Sequence, residues 1–146
     1  MRCTSVTRQV LDDSGRLTIP AKVRRWFGKE AFVTPARDGQ SLSLYPAEVW
    51  DIVAKRASEL PATDDMATAV KLRVGAITEQ CHVDAQGRVL IPDSLRRLVG
   101  IDREVVLAGA IDRLTLWSPE HWEQAWAHIS EDPEIDRYMR DKNIGL

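Results

Sequence analysis

An α+β fold, made of two copies of one small unit that interlock, is the architecture this sequence predicts. Three observations lead there. Shifted by 72 residues, the chain overlays itself without a gap: residues 10–50 match 82–122 at 14 of 41 positions. Each copy then shows short β-branched runs broken by turn signals, with one short helical stretch between them. Finally, a unit of roughly 45 residues of short strands buries little alone and leaves strand edges open. Two copies that cover each other's apolar faces remove both problems, and tandem duplication of one supersecondary unit is the simplest account.

The elements follow in order. Val6 and Thr7 supply β-branched residues to a strand over 5–11. Asp12-x-x-Gly15 makes a turn, because glycine tolerates positive φ. A short strand covers 16–19. Pro20 suits a helix start, where its missing N–H costs nothing, so a helix of about two turns is expected over 21–27, ended by Gly28. Strands at 31–36 and 41–45 complete the copy. The second copy repeats the plan: a strand to residue 83, a turn, 88–91, a helix over 93–99, then 104–108 and 113–117. A longer helix closes each copy. After Ser118-Pro119, residues Trp122, Ala125, Trp126 and Ile129 share one face at i, i+3, i+4 and i+7. In the first copy Val49, Ile52, Val53 and Leu60 form a less regular face. A connecting helix is expected over 64–74 and a weak final helix over 134–142. The resulting division is a first repeat at 5–60, a connecting helix within 61–76, a second repeat at 77–130, and an acidic tail at 131–146.

Composition narrows the function. Hydrophobic residues make up 44% and charged residues 29%, the balance of a soluble globular chain. No apolar run approaches the ~20 residues of a membrane span. The opening MRCTSVTRQVLDD lacks the apolar core of a signal peptide, so a cytoplasmic location is expected. Cys3 and Cys81 both fall in expected strands and read as semi-buried thiols. The net charge is −2 but uneven: residues 10–28 carry +2, residues 82–100 carry +1, and residues 118–146 carry −4. A basic excess confined to the repeat points to a site that needs several copies or specific readout.

The sharpest motif is Asp-x-x-Gly-Arg, written twice, at Asp12–Arg16 and Asp84–Arg88. An arginine just after a tight turn holds its five-donor fork forward. That fork fits guanine O6 and N7 in the major groove, or a phosphate. Arg24-Arg25 and Arg96-Arg97 follow on the short helix. Adjacent helical residues point about 100° apart, so one of each pair can face a phosphate while the other braces the loop. Asp12, Gly15, Asp84 and Gly87 are read as structuring the loop. The competing reading is that Arg16 and Arg88 merely pair with Asp12 and Asp84.

The stretches LDDSGRLTIPAKVRRWFG and VDAQGRVLIPDSLRRLVG resemble the swapped-hairpin DNA-binding domain of the SpoVT-AbrB/MazE type. Two copies in one chain, together with VVLAGAIDRLTLWSPEHW at 105–122, look like the MraZ family of transcriptional regulators. The resemblance spans about residues 6–130. It implies two swapped-hairpin β-barrel repeats interlocked as an intramolecular pseudo-dimer with peripheral helices. It further implies a ring-like homo-oligomer, located on the nucleoid, that binds direct repeats of double-stranded DNA upstream of its own division and cell-wall operon, as a repressor. By motif position Arg16 and Arg88 are the leading DNA contacts. Arg24, Arg25, Arg96 and Arg97 follow from the wider domain family. The chain departs from the family at Cys3-Thr4-Ser5, where Phe-Arg-Gly is usual, at Ser14, and at Gln9 and Cys81, where a base often stands.

Two rivals share the domain: a MazE-type antitoxin, and a ring-forming scaffold without specific DNA binding. An enzyme is not expected. His121 and His128 lie two turns apart, too far for joint zinc ligation, and Cys81 and His82 face opposite ways on a strand. No P-loop, dinucleotide fingerprint or nucleophile elbow appears. No catalytic residue, metal, cofactor, membrane or small-molecule substrate is therefore assigned.

Overall fold

A computed structural model describes residues 2–145. The first copy contributes β1 (Val6–Val10), β2 (Arg16–Thr18), α1 (Ala21–Arg24), β3 (Glu30–Pro35), β4 (Ser41–Pro46) and α2 (Ala47–Ser58). After the connecting helix α3 (Asp65–Ile77), the second copy supplies β5 (Glu79–His82), β6 (Arg88–Leu90), α4 (Asp93–Leu98), β7 (Glu104–Gly109), β8 (Leu114–Trp117) and α5 (Pro119–Ile129). The expected acidic tail forms a last helix, α6 (Pro133–Asp141); its final residue, Leu146, lies outside the described residues.

Strand pairing shows how the copies interlock. A six-stranded antiparallel sheet runs β1-β7-β8-β4-β3-β5, and a two-stranded ribbon pairs β2 with β6. Four ladders join one copy to the other: β1 to β7, β5 to β3, β4 to β8, and β2 to β6. Each copy therefore has its first strand hydrogen-bonded to its sister's third. The six strands form a linear order with β1 and β5 at its ends, and among the described residues no ladder joins those ends.

The pairing has an internal twofold. Leu17 faces Val89, its own counterpart 72 residues on, and Ser43 faces Thr115 in the same way. Around these points one hydrophobic core takes Leu17, Ile19, Val23, Phe27, Leu42 and Leu44 from the first copy with Val89, Ile91, Val99, Leu107, Leu114 and Leu116 from the second. Fully burying each such side chain is worth about 1.5–3 kcal/mol, so the core holds the copies together as one body. A smaller apolar cluster sits on the other face of β7 and β8. There Val106, Ala108 and Trp117 meet Trp122 and Ala125 of α5. Ser118 caps that helix, its Oγ accepting from the His121 N–H at 3.1 Å.

Two local expectations are corrected. The first short helix ends at Arg24 rather than 27. Its continuation tightens into i→i−3 bonds, with Trp26 N–H donating to Val23 and Phe27 N–H to Arg24. Gly28, at φ +58°, then turns the chain into β3. The two copies also differ in register. In the first hairpin Ala36 closes on Ser41 around a four-residue tip; in the second Ala110 closes on Arg113 around Ile111-Asp112. β7 is thereby advanced by two residues, and Gln9 pairs with Val105 while Cys81, its counterpart, pairs with Ala31. A slip of two keeps every side chain on its original face, whereas a slip of one would invert them all.

Candidate nucleic-acid interface

The two Asp-x-x-Gly-Arg loops sit at opposite ends of the β2/β6 ribbon. The inner face of that ribbon is Leu17 and Val89, both buried. Its outer face alternates accordingly and carries Arg16 and Thr18 from one strand, Arg88 and Leu90 from the other, with Arg16 opposite Leu90 and Thr18 opposite Arg88.

Each loop is tied the same way. Asp12 Oδ1 accepts from the Ser14 and Arg16 N–H groups, both at 2.9 Å, and its Oδ2 accepts from Arg16 Nε at 2.8 Å. Asp84 repeats the pattern with Gln86 at 2.9 Å, Arg88 N–H at 2.8 Å and Arg88 Nε at 2.8 Å. Both carboxyls are held below the usual carboxylate range. The Arg16 or Arg88 N–H is the largest cause, with the guanidinium and the neighbouring N–H adding to it against a modest desolvation. Gly15 and Gly87 take φ of +86° and +77°, a region that L side chains rarely adopt.

The pairing of Arg16 and Arg88 with Asp12 and Asp84 uses only part of each guanidinium. Each is paired to its aspartate, but only through Nε. Among the described residues the terminal guanidinium nitrogens make no hydrogen bond, and the side chains are 36% and 39% exposed. The ion pair fixes the stem and leaves the two-pronged end presented outward.

The arginine pairs on the short helices split into an inner and an outer member, and the inner ones cross between copies. Arg24 Nη2 donates to the Ile19 carbonyl at 3.0 Å, and its guanidinium lies against Gly87 of the other copy, where a Cβ would run into Arg24 Nε. Arg96 Nε donates to Ile91 at 3.1 Å and covers Gly15, where a Cβ would sit 2.6 Å from its Nη2. The loops meet across the ribbon as well, Ile19 N–H donating to Gly87 and Ile91 N–H to Gly15. The outer members are exposed. Arg25 stands 4.5 Å over the Trp26 ring, and Arg97 pairs with Asp93.

Gln9 is a structural residue that motif reading missed. Its side-chain amide accepts from Thr18 N–H at 3.0 Å and donates to Thr18 C=O at 2.6 Å, pinning β2 to β1. Cys81 holds the matching place in the second copy, where burial, then the Glu79 charge, pushes its thiol up to about 11. It is therefore a protonated, inert core residue at neutral pH. Arg8 lies on the opposite face of β1 and pairs with Glu123 of α5, away from the loops. Among the described residues no three His, Cys, Asp or Glu side chains converge as a metal site.

The sequence profile of the family described as "MraZ protein, putative antitoxin-like" matches this chain twice, over residues 4–73 and 76–143, once per copy. The chain belongs to the MraZ family. Among curated relatives, a protein of Thermomicrobium roseum named Transcriptional regulator MraZ is 37% identical over 126 residues, covering 86% of this chain and 88% of its own. One of the same name from Lactiplantibacillus plantarum is 39% identical over 114 residues, covering 78% and 80%. Another from Mycobacterium ulcerans is 37% identical over 114 residues, covering 78% and 79%. The MraZ match takes in both loops, both short helices and the terminal helices α5 and α6.

Proposed function

We propose that this protein is a sequence-specific, DNA-binding transcriptional regulator whose reading surface is the outer face of the β2/β6 ribbon with its two arginine loops. The observation that carries the reading is the pair of half-tethered guanidinium forks, Arg16 and Arg88, set on one face by the internal twofold. The major groove admits a two-stranded ribbon, and an arginine fork fits guanine O6 and N7. Diagonal neighbours across a ribbon stand roughly 7–8 Å apart, about two steps of a duplex that rises ~3.4 Å per base pair. The name shared by the relatives, Transcriptional regulator MraZ, supports the same conclusion.

The finer terms of the proposal come from the family resemblance. The repeats at 5–60 and 77–130, joined through 61–76 and followed by the tail at 131–146, belong to the swapped-hairpin barrel class. The protein works in the cytoplasm on the nucleoid, as a repressor at direct repeats upstream of its own operon. Copies assemble into a ring, which agrees with large apolar side chains left exposed on α3, Met66 at 72% and Leu72 at 66%. An antitoxin reading leans on the family's description, but it calls for a pliant acidic wrap, whereas the acidic region here forms α5 and α6.

The test is fluorescence anisotropy on duplex DNA from upstream of the protein's own gene. Arg16→Ala with Arg88→Ala is expected to weaken binding at least tenfold, from roughly 1–3 kcal/mol per lost bidentate contact. The fold and the mass of the assembly stay intact. Unaltered affinity in the double variant would sink the assignment.

A further inference from the structure

We infer that the two copies divide the work of docking: helix α1 clamps the phosphate backbone, while the loop Asp84–Arg88 reads bases, with Gln86 as a specificity residue beside Arg88. The inference rests on the DNA-binding reading above and goes beyond it, because the twofold backbone alone would make the copies equivalent.

Backbone and chemistry part company at matched positions. In α1, Ala21 and Lys22 stand where α4 has Asp93 and Ser94. Asp93 takes both arginines of its own helix, Arg97 at i+4 and Arg96 at i+3 and 3.4 Å. The outward cation of the second copy is thus neutralised before any DNA arrives. The first copy has no acid in α1. Arg25 stands over a neutral ring, and among the described residues Lys22 hydrogen-bonds only the Ser5 hydroxyl. Two uncompensated cations therefore stand on α1, the helix whose Arg24 lies against Gly87 of the second loop, and such cations grip phosphates without reading sequence.

The loop tips extend this bias in space, since the first loop lies against Arg96 of the neutralised α4 and the second against Arg24 of α1. Asp13 and Ser14 occupy the first tip, Ala85 and Gln86 the second. Asp13 is fully exposed, its one cation among the described residues being Arg103 at 3.9 Å, and an exposed carboxylate repels the backbone. Gln86 is uncharged, and Asp84 fixes its main-chain N–H. Its side-chain amide is exposed and makes no hydrogen bond among the described residues. A free amide next to a free guanidinium is the donor–acceptor set that distinguishes adenine and guanine in the major groove. The unit therefore binds in one orientation and reads a non-palindromic element.

The full-length protein is titrated with the upstream duplex across salt concentrations, and with duplexes carrying each single base-pair change. Lys22→Ala with Arg25→Ala should flatten the slope of log affinity against log salt by about two and leave the base profile unchanged. Arg97→Ala should leave the slope alone, and Asp93→Ala should steepen it by about one by freeing Arg97. Gln86→Ala should keep the slope, lose about 5- to 150-fold on the native duplex, and become indifferent to one base pair. If the wild type shows no preferred duplex, the DNA-binding reading itself fails. If it has one, but Arg97→Ala flattens the slope as Lys22 and Arg25 do, or Gln86→Ala keeps the full base profile, the division of labour is overturned.

Discussion

Three donors converge on the Asp12 carboxylate and three on Asp84, all from the five-residue loop each one opens. This lowers both folded pKa values beneath the unfolded value of about 3.9. A lowered carboxyl contributes stability above its unfolded pKa and loses it as pH falls through the folded one. The Asp12→Asn, Asp84→Asn variant is therefore expected to have a lower urea midpoint than the wild type above pH 5. The gap should close as pH drops below about 4. A gap that stays constant down to pH 2.5 contradicts the account. The motif, its turn and its glycines were legible from spacing alone, as was the splitting of each arginine pair on its helix. The crossing of Arg24 to Gly87 and of Arg96 to Gly15 was not. A repeat shows which residues are equivalent and says nothing of which copy they touch. The neutralisation of Arg97 by Asp93 was readable in principle, since acid and base stand at i and i+4.

At the scale of elements, strand order along the chain followed from β-branched runs and punctuation, and most boundaries fell within two residues. Register did not follow. The gap-free overlay of the copies implies identical hairpins, yet tip chemistry sets them apart. Asp38-Gly39 supports a wider turn, with Gly39 at φ +72° and Asp38 Oδ1 accepting from Gln40 N–H. The second tip turns instead at Ile111, a β-branched residue at φ +73°, backed by a two-way bridge to Cys3. Left-handed backbone costs an L residue roughly 1–2 kcal/mol, and the exposed Ile111 side chain returns little of it. Ile111→Gly is expected to stabilise the protein by about 1 kcal/mol, read as a higher urea midpoint. A lower midpoint would show that the Ile111 side chain contributes packing that outweighs its backbone cost. Helix α1 illustrates the same limit: propensity favoured two turns, and the need to reverse at Gly28 shortened them.

For the whole molecule, the repeat announced that two units cooperate, and their small size explained why they must. That they do so by exchanging strands through four ladders is a long-range fact that no local pattern encodes. The exchange has a functional consequence, since the loops are positioned by one shared core and brace each other, so their spacing is fixed before any ligand binds. It also accommodates an overall acidic chain, whose charge of −2 gives little non-specific attraction to DNA. Specific contacts multiplied over an assembly can replace that attraction through effective concentration. On the proposed reading, binding thus depends on fixed arginine forks reading bases rather than on bulk charge. The most direct test is anisotropy of the wild-type protein on the upstream duplex beside a scrambled duplex of equal length, at low and at physiological salt. A preference for the upstream duplex that persists at the higher salt is expected. Equal binding to both duplexes, vanishing as salt rises, would contradict it.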